Sequence, residues 1–145
     1  MNITRRQARE WAIQMLTSAD LNPPESVDAL IAAYWLQVSD LEEENGAARA
    51  GAKIRAFAEA RVRGVLEHRQ EIDEILAPLL QNWNIYRLGT VERAVLRMGI
   101  WELKYTDVPP GAAINEAIDL ANWFSSPKSR SLVNGVLDRF AKSAK

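Results

Sequence analysis

Apolar residues recur every three or four positions along nearly the whole of this 145-residue chain. The pattern is clearest in residues 90–105, where Val91, Val95 and Met98 lie on one stripe and further apolar residues widen it. This spacing is typical of an α-helix, whereas a half-buried strand would alternate apolar and polar residues at a period of two. A helix that is apolar over most of its circumference lies in the interior of a fold. The pattern therefore predicts an all-α protein with a buried central helix at residues 90–105.

Capping and helix-breaking residues divide the chain into six or seven predicted helices joined by short loops. Thr4 and Gln7 have the spacing of a capping box, so the first helix should begin at Arg5 and end near Asp20. With 48% apolar residues, the chain has enough core-forming side chains for one domain, residues 1–145. The apolar residues of the remaining predicted helices span 27–38, 54–66, 72–83, 91–105, 114–124 and 132–140.

The Asn134-Gly135 pair carries two conflicting signals. Between apolar residues this dipeptide is a strong hairpin signal, because both residues tolerate positive φ angles. The neighbouring Val133, Val136 and Leu137 recur at helical spacing, so periodicity predicts a helix through the pair. Glycine inside a helix costs about 1 kcal/mol relative to alanine, and the predicted reason for Gly135 is a close helix neighbour.

Composition excludes several classes of enzyme and cofactor protein. The chain has no cysteine and one histidine, which excludes disulfides, cysteine-bound zinc, iron–sulfur clusters and thiolate nucleophiles. It has no glycine-rich phosphate loop and no Gly-x-Ser-x-Gly motif, and His68 is predicted to be a solvated surface residue. The acidic residues 42–44 diverge around a helix, which is typical of a solvated face. We therefore expect no catalytic residue, metal or cofactor, and a protein that is not an enzyme.

Membrane insertion and export are not predicted. No stretch approaches the 18 uncharged apolar residues of a membrane span, and residues 1–14 lack the apolar core of a signal peptide. We therefore expect a cytoplasmic protein.

Positive charge is concentrated at the two ends of the chain, although the formal net charge is only −1. Residues 1–20 contain three arginines and two acidic residues, and residues 128–145 contain five basic residues and one acidic residue. The sequence between them is acidic. This distribution predicts an anionic partner near both ends, and the alternative is a basic tail that only improves solubility.

The first predicted helix starts with three arginines, Arg5, Arg6 and Arg9. Arg5 and Arg9 are four residues apart and share a face of the helix. The exposed backbone N–H groups at a helix N-terminus attract phosphate, and guanidinium groups add bidentate hydrogen bonds to it. The arrangement therefore predicts phosphate contacts. The alternative is that the long arginine side chains only cover the flank of Trp11.

Four sequence motifs are spaced along the chain between residues 5 and 138: RRQAREWAIQML, TVERAVLRMGIWEL, VPPGAAINEAIDLANWF and SPKSRSLVNGVLD. In this order they resemble the NusB family of transcription antitermination factors. The resemblance implies an all-α fold of two packed three-helix bundles. It also implies that the protein binds the boxA element of nascent RNA jointly with NusE, a small-subunit ribosomal protein. With other Nus factors, this binding would let RNA polymerase read through terminators in ribosomal RNA operons.

The resemblance also implies which residues contact RNA and the partner protein. The arginine-rich start, Arg5, Arg6 and Arg9, corresponds to the family's main RNA-backbone contacts. Leu132 stands where the family often has an aromatic residue, so an apolar contact replaces a ring that would stack on a base. Glu92 corresponds to the NusE-facing surface. A loop before the last helix corresponds to a second RNA-facing region, with residues Pro127, Lys128, Ser129 and Arg130.

Two alternatives are open on sequence alone. The same helical fold resembles the N-terminal domain of some ribosomal RNA cytosine methyltransferases, but this short chain has no Rossmann-type catalytic domain. The second alternative is a non-enzymatic protein-binding adaptor or a homodimer of the same fold, in which self-association buries the arginines and RNA does not bind.

Overall fold

The computed structural model describes residues 4–45, 51–81, 84–124 and 127–143, with side chains except at 40–45, 123–124 and 127. These residues form seven α-helices and one short 3₁₀-helix, and no strand occurs among them. The prediction of an all-α fold with six to seven helices is confirmed. The α-helices are α1 (Arg5–Leu21), α2 (Val27–Asn45), α3 (Ala52–Glu67), α4 (Arg69–Leu79), α5 (Thr90–Tyr105), α6 (Pro110–Phe124) and α7 (Pro127–Ser143), and the 3₁₀-helix is Ile85–Arg87.

The chain divides into two compact units, Met1–Leu66 and Glu67–Lys145. The first contains α1, α2 and nearly all of α3, which agrees with the three-helix bundle implied by the family resemblance. The second contains the 3₁₀-helix and four α-helices, α4 to α7. Within the described ranges, no helix is long and apolar enough to cross a membrane.

The first unit is held together by the apolar face of α1 and by two tryptophans. Thr4 caps α1 as predicted, because its hydroxyl accepts a hydrogen bond from the Gln7 backbone N–H at 3.2 Å. Trp11 and Trp35 are buried, and their rings meet edge to face with centroids 5.4 Å apart. The Trp35 indole N–H donates to the Glu59 carboxylate of α3 at 3.2 Å. These contacts join all three helices in one core.

The second unit is built around α5, whose residues from Ala94 to Glu102 are all buried. Helix α5 contacts α4, α6 and α7, which confirms the prediction of a central buried helix. Arg97 is buried within this core. Its guanidinium donates two hydrogen bonds to the Asp73 carboxylate of α4, at 2.8 and 3.0 Å, in the bidentate geometry that best stabilises such a pair.

Most predicted helix ends lie within a few residues of the observed ends. Helix α2 continues through the acidic segment to Asn45, and α4 ends at Leu79, directly after Pro78. The sequence predicts Thr90 as the N-cap of α5, but Gly89 takes that position and Thr90 is the first helical residue. The difference at Thr90 is one residue, which is within the usual uncertainty of a helix end, whereas the end of α2 lies seven residues beyond the predicted span.

Helix α7 runs through Asn134 and Gly135, which confirms the helix predicted from periodicity. The close helix contact predicted at Gly135 is wrong, because a Cβ atom there would meet only the flexible end of Arg139, at 3.5 Å. The close approach is at Gly99 of α5, where a Cβ atom would lie 2.7 Å from a methyl carbon of Leu137. Glycine at position 99 therefore lets α5 and α7 pack closely.

Gly99→Ala is expected to destabilise the protein by about 1–3 kcal/mol, because the added methyl group forces Leu137 to move within a packed core. Equilibrium urea unfolding followed by circular dichroism measures the change. Gly135→Ala is the matched control, because it adds the same methyl group beside a flexible side chain, and we expect a gain of up to ~1 kcal/mol. Equal effects of the two substitutions would contradict the packing assigned to Gly99.

Candidate nucleic-acid interface

The first turns of α1 hold the three predicted arginines in two different environments. Arg5 and Arg6 are exposed to solvent, whereas Arg9 is only 6% exposed. The guanidinium carbons of Arg5 and Arg9 lie over the ring of Phe57 in α3, at 5.6 and 5.1 Å from its centroid. The shared face predicted for these two arginines is therefore confirmed. The exposed pair, Arg5 and Arg6, is within reach of a ligand, and Arg9 packs against α3.

Phe57 also contacts a cation from its own helix. The guanidinium carbon of Arg61 lies 3.4 Å from the ring centroid, and one of its N–H groups donates to the Phe57 backbone carbonyl at 3.1 Å. Arg61 is only 4% exposed, so its contacts are internal. Arg5, Arg9, Phe57 and Arg61 together form what we name the arginine–phenylalanine cluster. Sequence reasoning placed Phe57 only among the apolar residues of a helix, although its i,i+4 spacing from Arg61 was a usable signal.

The second cationic segment is the first turn of a helix and not a loop. Helix α7 begins at Pro127, so Lys128, Ser129 and Arg130 are helical. Proline has a suitable fixed φ angle and needs no N–H donor at the first helical position, which is why the predicted loop is wrong. Lys128 and Arg130 are exposed, whereas Ser129 is only 3% exposed. The two cations are therefore within reach of a ligand, and the Ser129 side chain is not.

Arg130 borders a shallow groove on the surface of the second unit. The groove is lined by Ile118 of α6 and by Arg130, Ser131 and Asn134 of α7. Leu132 is half-buried, so only part of its side chain is accessible. The groove combines a cation, a hydroxyl and an amide with one apolar side chain. Such a mixture is suited to contacts with single-stranded RNA, where phosphate, base edge and base face are all exposed.

Glu92, the predicted partner-facing residue, lies in the first turn of α5 and is half-buried. Its carboxylate reaches back toward the N-cap residue Gly89, since a Cβ atom there would lie 2.9 Å from the Glu92 Oε1 atom. An acid in the first turn of a helix is electrostatically favourable. The first unit thus carries Arg5, Arg6 and Arg9, and the second carries Glu92, Lys128, Ser129, Arg130 and Leu132.

A sequence model of the NusB family matches residues 6–142. The chain belongs to the NusB family. Its relatives include proteins from a Nitratiruptor species and from Geobacter sulfurreducens that are named transcription antitermination protein NusB. The relative from a Nitratiruptor species is 41% identical over 142 residues, which are 98% of this chain and 94% of the relative. The relative from Geobacter sulfurreducens is 44% identical over 140 residues, which are 96% of this chain and 94% of the relative.

Solved NusB structures have the same fold as this NusB-family protein. NusB from T. maritima matches with a TM-score of 0.80 at 29% identity, over 98% of this chain and 93% of that one. A crystal structure of antitermination factors NusB and NusE in complex with dsRNA contains a chain that matches with a TM-score of 0.77 at 28% identity, over 96% of both chains. The all-α NusB fold expected from the four sequence motifs is therefore confirmed, although the described residues of the second unit form four α-helices and not the three implied by the resemblance.

A further charged cluster of this NusB-family protein joins α4 to α5. Lys104 and Tyr105 donate hydrogen bonds to the Glu71 carboxylate, and His68 stacks on Tyr105 with ring centroids 4.2 Å apart. His68 is therefore partly covered by Tyr105, whereas the sequence predicted a solvated surface residue. The bonds from Lys104 and Tyr105 hold the pKa of Glu71 below its ordinary value, and the Glu71 carboxylate raises the pKa of both donors.

These pKa shifts make proton transfer by Glu71, Lys104 and Tyr105 unfavourable at neutral pH. A lowered pKa keeps Glu71 ionised at neutral pH, and raised pKa values keep Lys104 and Tyr105 protonated. A general acid or base needs a pKa near the working pH, so these three groups are poorly suited to proton transfer. In the part of the chain that the structure describes, no three metal-ligating side chains come together.

Proposed function

We propose that this protein is a transcription antitermination factor that binds boxA RNA jointly with NusE. Together with RNA polymerase and other Nus factors, it promotes read-through of terminators in ribosomal RNA operons. The observation that carries the proposal is the exposed pair Arg5 and Arg6 at the start of α1, in a chain whose relatives are named transcription antitermination protein NusB. A structural neighbour that contains NusB, NusE and dsRNA supports the two partners.

Four exposed cations are the proposed contacts with the RNA backbone: Arg5 and Arg6 of α1, and Lys128 and Arg130 of α7. All four lie in the first turn of their helix. Cations at a helix N-terminus are electrostatically unfavourable by a few tenths of a kcal/mol or more, and a bound phosphate offsets this cost because it is attracted both to the cations and to the positive end of the helix dipole. Phosphate contacts supply affinity and register, and contacts to exposed bases supply selectivity.

Three other predicted residues take different roles in the proposal. Ser129 is buried, so it supports the first turn of α7, where the exposed Lys128 and Arg130 lie on either side of it. Leu132 is half-buried and makes a limited apolar contact with a base. Arg9 is buried against Phe57 and supports the exposed arginines instead of binding phosphate in the open.

The proposed activity is binding, in the cytoplasm and without a cofactor, and not catalysis. Each compact unit has exposed cations of its own, Arg5 and Arg6 in the first and Lys128 and Arg130 in the second. We therefore propose that residues 1–145 act as one RNA-binding domain. Glu92, on α5, is the proposed contact with NusE.

BoxA RNA is expected to form a stronger complex than a scrambled RNA of the same length in a native gel-shift titration. Because only a few cations contact the backbone, the affinity of the protein alone should be modest, and added NusE should tighten the boxA complex about 10-fold or more. A boxA duplex should bind less tightly than the single strand, because pairing hides the base edges. Glu92→Gln should reduce the gain from NusE and leave binding of RNA alone unchanged.

Equal shifts with boxA and scrambled RNA would contradict the proposed function, and so would a boxA complex that NusE does not strengthen. Light scattering on the same samples tests the adaptor or homodimer alternative. A protein that buries its arginines by self-association would have the mass of a dimer, and that mass would not change when boxA RNA is added.

A further inference from the structure

Phe57 is the common contact of three cationic side chains. The guanidinium carbons of Arg5, Arg9 and Arg61 lie 5.6, 5.1 and 3.4 Å from the centroid of its ring. Like charges in one place repel each other, and the positive end of the α1 dipole adds to the repulsion. The negative face of an aromatic ring offsets part of this cost through cation–π attraction. The ring therefore has an electrostatic role beside its packing role.

We infer that Phe57 is a positioning residue of the RNA site, whose ring orients the Arg5 guanidinium before RNA binds. The inference rests on the proposed function and assigns a residue on α3 to it. Ordering a long, exposed arginine side chain on binding costs conformational entropy, and contact with the ring removes part of that cost in advance. A guanidinium that lies over a ring keeps its in-plane N–H groups available for phosphate oxygens.

The other two members of the cluster fix the ring. The Arg61 guanidinium lies 3.4 Å from the ring centroid and donates a hydrogen bond to the Phe57 backbone carbonyl. This hydrogen bond holds Arg61 against one side of the ring. Arg9 is 6% exposed and links the ring to α1 one turn beyond Arg5. Because both are nearly buried, Arg5 is the member of the cluster that is exposed and within reach of a ligand.

A double-mutant cycle separates this role from direct stacking of the ring on a base. BoxA RNA binding is measured for the wild type, Phe57→Leu, Arg5→Ala and the combination. We expect Phe57→Leu to weaken binding about 3- to 10-fold, the range of a cation–π contact of moderate strength. In the Arg5→Ala background the same substitution should change binding less than about twofold, which is the usual limit of additivity.

Phe57→Tyr is the conservative control, because it keeps the aromatic ring. Its affinity for boxA RNA should stay within about twofold of the wild type. Nuclear magnetic resonance of the RNA-free protein adds a direct readout. The ring current of Phe57 should shift the Arg5 side-chain N–H signal, and the shift should be lost in Phe57→Leu and kept in Phe57→Tyr. Circular dichroism confirms that each variant is folded.

The outcomes separate the inference from the proposed function. Equal losses from Phe57→Leu with and without Arg5 would overturn the inference, since the effect of the ring on binding would then not depend on Arg5. An unchanged affinity of Phe57→Leu, or a Phe57→Tyr variant as weak as Phe57→Leu, would also overturn it. In all three cases the wild type binds boxA RNA and the proposed function stands. A wild type that does not prefer boxA RNA would overturn both.

Discussion

Replacing both Arg5 and Arg6 with alanine is expected to weaken boxA RNA binding about 10- to 100-fold, because each charge-assisted hydrogen bond is worth about 1.5–3 kcal/mol at most and solvent screens exposed charges. Each lost phosphate contact on a single strand also lowers the slope of log K against log salt concentration by about 0.7. Two contacts should therefore reduce the slope by roughly 1.4. Gel-shift or fluorescence titrations at four salt concentrations give both values. Arg9 is not substituted in this variant, because it is buried and its removal would also disturb packing.

The control for this variant removes two positive charges at other positions of the chain. Arg63 of α3 and Arg87 of the 3₁₀-helix are exposed, and neither belongs to the proposed RNA site. Arg63→Ala/Arg87→Ala should change the affinity less than about threefold, through net charge alone. Equal losses in the two double variants would show that RNA binding follows net charge, and would contradict a specific site at the start of α1. An unchanged salt slope in the Arg5→Ala/Arg6→Ala variant would contradict it as well.

The second large effect is expected on stability. Asp73→Ala removes the carboxylate that accepts two hydrogen bonds from Arg97, whose side chain is only 6% exposed. Removing one partner of such a buried pair leaves the other charge in a place where water cannot fully solvate it. The expected loss is about 3 kcal/mol in the free energy of unfolding, near the lower end for buried pairs because the Asp73 side chain is 21% exposed. Urea unfolding monitored by circular dichroism measures it.

Asp28→Ala is the matched control for Asp73→Ala. Asp28 forms an ion pair with Arg63 at 2.7 Å, but its side chain is 81% exposed. Exposed ion pairs contribute about 0–1 kcal/mol, so this substitution should have little effect on unfolding. Equal losses of unfolding free energy from Asp73→Ala and Asp28→Ala would contradict the larger stabilisation assigned to the buried pair of Asp73 and Arg97. Adding Arg97→Met to Asp73→Ala should recover part of the loss, because it removes the buried charge.

Local sequence signals predicted the helices because their causes lie within a few residues. The apolar stripe of α5 and the Thr4 cap of α1 both depend on neighbours within one or two turns of helix. For the same reason, periodicity correctly predicted a helix through Asn134 and Gly135. The start of α7 was missed, because Pro127 can end one segment or begin the next. A proline signal alone does not distinguish these two cases.

The sequence by itself determined the all-α fold, the family and the position of the arginine-rich start. The sequence could not show which of the three arginines are exposed, because all three have the same side chain and lie within five residues of each other. Their difference depends on the tertiary structure, which packs Arg9 against Phe57, about fifty residues along the chain, and buries Arg9 while Arg5 and Arg6 stay exposed. The tertiary structure likewise decided that Gly99, and not Gly135, is the glycine at a close helix contact. Helix formation depends on neighbours in the chain, whereas burial and close packing depend on residues that only folding brings together.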